Sequence, residues 1–213
     1  MSGLTIWTYD WVPPGPRGFV RDLRLRWACE EAGLDYDVRT IPFDGRETNH
    51  LERQPFGQVP FLDDGAVKIF ESGACLLHLA GKSDALMPGD AAGQAETLQW
   101  VVAALNSIEM VTVPWWFLSL SGDRENGLAG WVRKRLGHLE DVLRKRDWLA
   151  ASRFTVADLL MADVLRVPAL RDFAASPVLD AYIDRACDRE PFRKAVADQV
   201  AHFEAADANR QAP

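Results

Sequence analysis

The sequence predicts an α/β domain at the amino terminus followed by an all-helical domain. In the first part of the chain, β-branched and aromatic runs alternate with helical patterns, which is typical of a sheet covered by helices. The segment at 83–93 is rich in turn-forming residues, and beyond it apolar residues recur only at helical spacing. We therefore expect domains at 1–82 and 94–213, joined by a linker at 83–93.

The first domain is predicted to have the element order β-α-β-α-β-β-α, which is that of a thioredoxin-like domain. Strands are expected at 4–9 and 36–42, and between them a helix at 20–32 that ends at Gly33. A short helix is expected at 50–53. Residues 59–62 and 67–70 form a predicted hairpin around Asp63-Asp64-Gly65, and a last helix covers 72–79.

The second domain is predicted to be helical, with apolar stripes along 98–108 and 131–143. Its best-defined helix start is Thr155, whose hydroxyl is expected to cap the helix. Asp158, three residues later, can accept a hydrogen bond from the main-chain N–H of Thr155, and Phe154 is placed to pack on Leu159. We interpret these residues as a folding signal and not as a ligand site.

Composition and charge exclude several classes of function. A net charge of −7 argues against binding of nucleic acid, because phosphate contacts need clustered Lys and Arg. The three cysteines are isolated in sequence, which gives no disulfide framework, no CxxC motif and no metal-ligand spacing. We find no signal-peptide pattern and no unbroken apolar run of about 18 residues, so we expect a cytoplasmic protein without a membrane segment.

The most informative segment runs from residue 55 to residue 72. Val59 precedes a proline, which favours an extended backbone that can pair with a peptide as an added strand. Glu71 and Ser72 stand where the next helix begins, and free N–H groups and the helix dipole favour a carboxylate there. Together they suit a small, acidic, peptide-like ligand. The alternative is that Val59 and Pro60 merely end a strand and Ser72 merely caps a helix.

These residues, with the predicted helix cap of the second domain at the matching distance, resemble the cytosolic glutathione transferase family over nearly the whole chain. The resemblance implies a thioredoxin-like glutathione-binding domain followed by the family's helical domain. It also implies that the bond before Pro60 is cis and that the backbone of Val59 meets the cysteinyl unit. By the same resemblance, Glu71 and Ser72 hold the γ-glutamyl amino and carboxylate groups. The glutathione-binding residues that we expect are Gln58, Val59, Pro60, Glu71 and Ser72.

The resemblance implies a homodimeric enzyme that joins glutathione, as co-substrate, to a small hydrophobic electrophile. Met110, Trp115 and Trp116 lie where the family builds its electrophile pocket, although such an apolar cluster also suits a core or an interface. Two alternatives stay open. One is another glutathione-dependent reaction on the same fold, such as isomerisation or dehalogenation, and the other is a non-catalytic binding module.

The chain departs from the family where the thiol-activating side chain usually stands. A thiol with an ordinary pKa of about 8.5 must be held as a thiolate by a donor, a cation or a helix N-terminus. The family uses Ser, Tyr or Cys, whereas this chain has Phe19. We expect Arg17 or Arg21 to stabilise the thiolate by charge.

Alternatives to the two arginines are the helix-start N–H groups around Phe19, the hydroxyl of Tyr9 and the indole of Trp11. A different interpretation is that Arg17, Arg21 and Arg24 simply form a solvated helix face.

Overall fold

The structure, a computed structural model, describes residues 3–46 and 48–210. Contacts divide the chain into two compact units. The first contains the residues up to Ser83 together with those from Glu190 onward, and the second is Asp84–Arg189. The last helix therefore groups with the amino-terminal part of the chain, whereas the sequence suggested a helical domain over 94–213. The domain limits 1–82, 83–93 and 94–213 stay a prediction.

The first unit is a mixed sheet covered by helices. Its elements are β1 (Leu4–Tyr9), α1 (Asp22–Ala32), β2 (Tyr36–Ile41), β3 (Phe61–Asp64), β4 (Val67–Phe70) and α2 (Ser72–Ala80). The strand order is β2-β1-β3-β4. β1 runs parallel to β2, which requires a crossover such as α1, while the pairs β1–β3 and β3–β4 are antiparallel. This confirms the predicted α/β fold class, although no helix separates β2 from β3, so the predicted element order is only partly correct.

Two local predictions are wrong. Asp63 and Asp64 end β3 and do not form the turn; the chain turns at the next two residues, where Gly65 has a φ of 59°. The carboxylates stay in the strand because cations pair with them there, Lys68 with Asp63 at 3.0 Å and Lys82 with Asp64 at 2.6 Å. The helix expected at 50–53 is a series of turns.

The remaining helices follow the linker region. They are α3 (Ala91–Ala103), a π-helical segment (Ala104–Glu109), α4 (Met110–Ser119), α5 (Ala129–Leu143), α6 (Val156–Leu165), α7 (Pro168–Ala174), α8 (Pro177–Cys187) and α9 (Glu190–Arg210). Every residue of α6 is buried, so this helix forms the core of the second unit. α9 packs on α1 in the first unit.

The capping box predicted at the start of α6 is confirmed. The Asp158 carboxylate accepts from the N–H and the hydroxyl of Thr155, at 3.0 and 3.1 Å. Its other oxygen accepts from the Leu149 N–H and the Tyr182 hydroxyl, at 2.8 and 3.0 Å. One carboxylate thus connects the cap, the preceding loop and α8.

Within the described residues, one continuous helical run, Ala91–Ser119, is long and apolar enough to cross a membrane by length and composition alone. The core helix of a soluble protein passes the same test, so a single such helix is weak evidence for a membrane span. In this structure the run packs on α6 of the same unit. A π-helical segment interrupts it, which shifts the register of the side chains that follow.

Candidate functional site

Strand register brings three segments to one end of the sheet. Phe61, the first residue of β3, pairs with Phe70, the last residue of β4, and with Trp7 near the end of β1. The residues just before Phe61, just after Phe70 and just after β1 therefore meet at the same edge. These segments are Val59–Pro60, Glu71–Ser72 and the loop at 10–21, and they contain most of the predicted site.

Three side chains make hydrogen bonds to the backbone of the loop that leads into β3. The Gln54 amide oxygen accepts from the N–H groups of Phe56 and Gln58, at 2.6 and 3.2 Å. Nε2 of His50 lies 3.1 Å from the Gln58 carbonyl oxygen, within hydrogen-bond distance. The Tyr9 hydroxyl donates to the Gly57 carbonyl at 3.3 Å. These bonds fix the backbone that precedes Val59.

The predicted cis bond between Val59 and Pro60 is confirmed. Val59 lies between this fixed loop and β3. Among the described residues, neither its N–H nor its carbonyl has a hydrogen-bond partner. A half-buried main-chain pair without partners is ready to pair with an extended peptide.

The start of α2 has the properties of an anion site. Glu71 has a φ of 70°, an uncommon backbone conformation for a residue with a side chain, and such strained positions cluster at functional sites. Within the described part of the chain, its exposed carboxylate makes no hydrogen bond or ion pair. Ser72 is buried, and its hydroxyl oxygen accepts from Nη1 of Arg24 at 3.0 Å. The hydroxyl proton of Ser72 is therefore free to be donated.

The interpretation of the three arginines as a solvated face is wrong. Arg24 is only 3% exposed, because it reaches from α1 to Ser72 below the start of α2. Nη1 and Nη2 of Arg17 donate to Asp207 at 2.8 and 2.6 Å, and Nε and Nη2 donate to the Val12 carbonyl. This hydrogen-bonded pair holds the pKa of Asp207 at about 2. Arg21 is half-buried at the N-cap of α1.

The position where the resemblance places the thiol-activating side chain is occupied by Phe19, whose side chain is apolar. Phe19 is 39% exposed, and its N–H donates to the Pro16 carbonyl at 2.9 Å. Tyr9 and Trp11 already donate their single polar hydrogens, to the Gly57 carbonyl and to Asp207. Burial also raises the pKa of Tyr9, which keeps its proton in place. Within the described chain, by contrast, the N–H of Val20 has no partner.

The predicted electrophile-pocket residues lie in the second unit and differ in exposure. Met110 is 51% exposed at the start of α4, and Trp116 is partly exposed. Trp115 is fully buried; its indole N–H donates to the Arg124 carbonyl at 3.0 Å, and its ring packs on Phe173. Because Trp115 is fully buried, it cannot contact a ligand directly, but it can pack beneath the residues that line such a pocket.

Comparison with known proteins decides the family. Residues 15–81 match the model of the glutathione S-transferase N-terminal domain, and residues 128–190 match that of the C-terminal domain. Glutathione S-transferase 1 of Zea mays is 32% identical over 171 residues, which cover 75% of this chain and 80% of the relative. The chain belongs to the glutathione S-transferase family. Glutathione S-transferase 1 of Schizosaccharomyces pombe is 29% identical over 188 residues, 75% of this chain and 73% of the relative.

Solved structures of glutathione transferases share the fold. A transferase from Pseudomonas putida, crystallised with one glutathione disulfide per subunit, has a TM-score of 0.76 at 20% identity, covering 91% of this chain and 90% of that one. The yeast protein Ure2p in complex with glutathione has a TM-score of 0.74 at 20% identity, covering 92% and 93%. At such identities the likeness shows the fold alone, and it is that of a glutathione transferase.

Some residues around the site were not predicted as part of it. Gln54 and Arg24 support Val59 and Ser72 from inside the protein, but their types and spacing resemble those of ordinary surface residues. Two side chains of α9, Gln199 and Asp207, contact the loop at 10–21 across about 180 residues of chain. No local pattern predicts contacts at such a separation.

Proposed function

We propose that this protein binds glutathione at the edge formed by Val59, Glu71 and Ser72. The observation that carries the proposal is at the end of the sheet where α2 begins: the main-chain N–H and carbonyl of Val59 have no hydrogen-bond partner among the residues that the structure describes. In the proposed complex, Val59 pairs with the cysteinyl unit of glutathione. The first N–H groups of α2 and the Ser72 hydroxyl donate to the γ-glutamyl carboxylate, while Glu71 accepts from the γ-glutamyl amino group.

We further propose that the protein is a transferase that joins the glutathione thiolate to a small hydrophobic electrophile. Catalysis then comes from holding the two reactants together and from stabilising the thiolate. The electrophile lies against Met110 and Trp116, backed by Trp115. We also propose, from membership of the family, that the protein works as a cytoplasmic homodimer.

The thiolate is stabilised from the loop at 10–21 in this proposal. Arg21 and Arg17 are the candidate cations, and Arg17 already carries a counter-ion in Asp207. The N–H of Val20, which has no partner within the described residues, is a third candidate, because main-chain N–H groups next to a helix start stabilise a negative charge without any side chain.

Two observations favour a second candidate, a non-catalytic glutathione-binding module. Phe19 cannot donate a hydrogen bond to sulfur, and a fold neighbour is Ure2p, whose other solved form is described as the nitrogen regulation fragment of a yeast prion protein. Isomerisation or dehalogenation with glutathione uses the same thiolate and is an alternative reaction for the catalytic case.

Two measurements test the proposal. Titration calorimetry with glutathione measures binding, and the absorbance of the conjugate formed from 1-chloro-2,4-dinitrobenzene measures transfer. Binding with turnover supports the transferase, and binding without turnover on any electrophile supports the non-catalytic module. Failure to bind glutathione at millimolar concentration contradicts both candidates. Phe19→Ser, which restores a hydroxyl at the usual position, is expected to increase turnover.

A further inference from the structure

Beyond its first residue, the last helix, α9, lies outside the two segments that match the family models, yet its side chains bind the loop in front of α1. Gln199 is fully buried. Its amide oxygen accepts from the Gly18 N–H at 3.1 Å. Its amide nitrogen donates to the Val20 carbonyl at 2.9 Å and to the Asp22 carboxylate at 2.6 Å. The two ends of one amide therefore hold the main chain on both sides of Phe19.

Only an amide satisfies these partners together, because one side must accept and the other must donate twice. Packing supports the same contact. Gly18 has a φ of 79°, and a Cβ at this position would stand 3.9 Å from methyl groups of both Val196 and Val200 on α9. α9 therefore packs closely against Gly18, and the buried amide of Gln199 lies within this contact.

Two further side chains of α9 hold the beginning of the same loop. Asp207 accepts from the Trp11 indole at 2.7 Å and from the Arg17 guanidinium at 2.6 and 2.8 Å. His202 lies 3.2 Å from the Tyr9 carbonyl, so Nε2 of His202 donates this bond. α9 therefore contacts the loop from its first residues to the start of α1.

We propose that Gln199 is a positioning residue for thiol activation, through its hold on residues 18–22. This inference rests on the proposed transferase function. The groups that can stabilise the thiolate, the Arg21 side chain and the Val20 N–H, both lie within the turn that Gln199 fixes. A displacement of about 1 Å in such a turn lowers the rate by up to about 100-fold, because thiolate stabilisation depends on distance.

The test compares Gln199→Leu, which makes none of the three bonds, with Gln199→Glu, which keeps an acceptor for the Gly18 N–H. The assay uses glutathione and 1-chloro-2,4-dinitrobenzene across pH, with kcat and the KM for glutathione measured separately. We expect Gln199→Leu to lower kcat by roughly tenfold or more and to move the thiol pKa of the pH–rate profile toward that of free glutathione. The KM should change less than kcat. Gln199→Glu, which replaces the amide donor with a carboxylate oxygen facing the Val20 carbonyl and Asp22, should lower kcat at least as much as Gln199→Leu does.

Two variants of α9 serve as matched controls. Lys194→Gln removes exposed ion pairs with Glu30 and Asp198 and does not touch the loop, so its activity should equal that of the wild type. Phe203→Leu loosens the buried side of α9. It should lower the melting temperature without moving the pH–rate profile.

The outcomes separate the inference from the proposed function. An unchanged pH–rate profile and kcat in both Gln199 variants would overturn the positioning role, and so would an equal pKa shift in Phe203→Leu. A wild-type protein that neither binds glutathione nor forms the conjugate would overturn the proposed function, and this inference with it.

Discussion

Ser72 receives a hydrogen bond from the buried Arg24 and has its own proton left to donate. If that proton meets the γ-glutamyl carboxylate, Ser72→Ala should weaken glutathione binding by about 1–3 kcal/mol, because a hydrogen bond to a charged group is lost. Calorimetry measures the change. Ser121→Ala is the matched control, since the Ser121 hydroxyl donates to a carbonyl in the second unit. Equal affinities for the two folded variants would contradict the ligand assignment of Ser72.

Arg21 and Arg17 differ in what their removal should do. Arg21→Ala is expected to raise the pKa of the bound thiol and to lower kcat more than it weakens binding, because a positive charge stabilises the thiolate and not the neutral thiol. Arg17→Ala also frees Asp207, so the attachment of α9 should weaken as well. The pH–rate profile and the melting temperature distinguish the two effects. Wild-type turnover in both variants would leave the Val20 N–H as the activating group.

At the scale of a single element, the start of α6 depends on Asp158, whose four accepted hydrogen bonds connect it to three neighbouring segments. Asp158→Asn places an amide N–H group against these donors, so we expect a loss of about 1–3 kcal/mol in the free energy of unfolding. Urea unfolding measures this loss. The exposed Asp172→Asn, whose contact with Arg124 is 4.0 Å long, should be nearly neutral.

The same residue gives a pH dependence with a defined sign. Burial raises the pKa of Asp158 to about 6, so the folded protein takes up a proton at higher pH than the unfolded chain does. Ionisation between pH about 4 and about 6 therefore lowers the free energy of unfolding, and no further loss follows above that range. The stability advantage of the wild type over Asp158→Asn should thus be larger at pH 4 than at pH 7. An advantage that grows with pH would contradict this assignment.

At the scale of the whole molecule, both units expose large apolar side chains that an interface would cover. Phe56 is 68% exposed in the first unit, and Leu98 and Val102, one helical turn apart, are 47% and 44% exposed in the second. We expect a homodimer with twice the 23.8 kDa mass of the chain. Light scattering over a dilution series measures the mass, and Phe56→Asp should shift it toward the monomer. A single-chain mass at every wild-type concentration would rule the dimer out.

Local sequence by itself determined much of this protein. The alternation of β1, the left-handed stop at Gly33 and the capping box of α6 all depend on residues within a few positions of one another. The segment from Val59 to Ser72 predicted the ligand edge for the same reason, because a proline and a helix start act on their neighbouring backbone. These local rules predicted the α/β fold class and a site for a small, acidic, peptide-like ligand, and the family resemblance then implied that this ligand is glutathione.

Only the tertiary structure decided what surrounds the thiol position. The charges of Arg17 and Arg24 say nothing about exposure. Arg24 is buried and Arg17 is partly buried, and each donates hydrogen bonds to a distant partner, Ser72 and Asp207 respectively. The side chain of Gln199 makes hydrogen bonds to the turn at 18–22, which lies about 180 residues away in sequence. The periodicity of a sequence predicts which face of a helix or strand is buried. It does not predict contacts between residues far apart in the chain, which form only when α9 packs on α1.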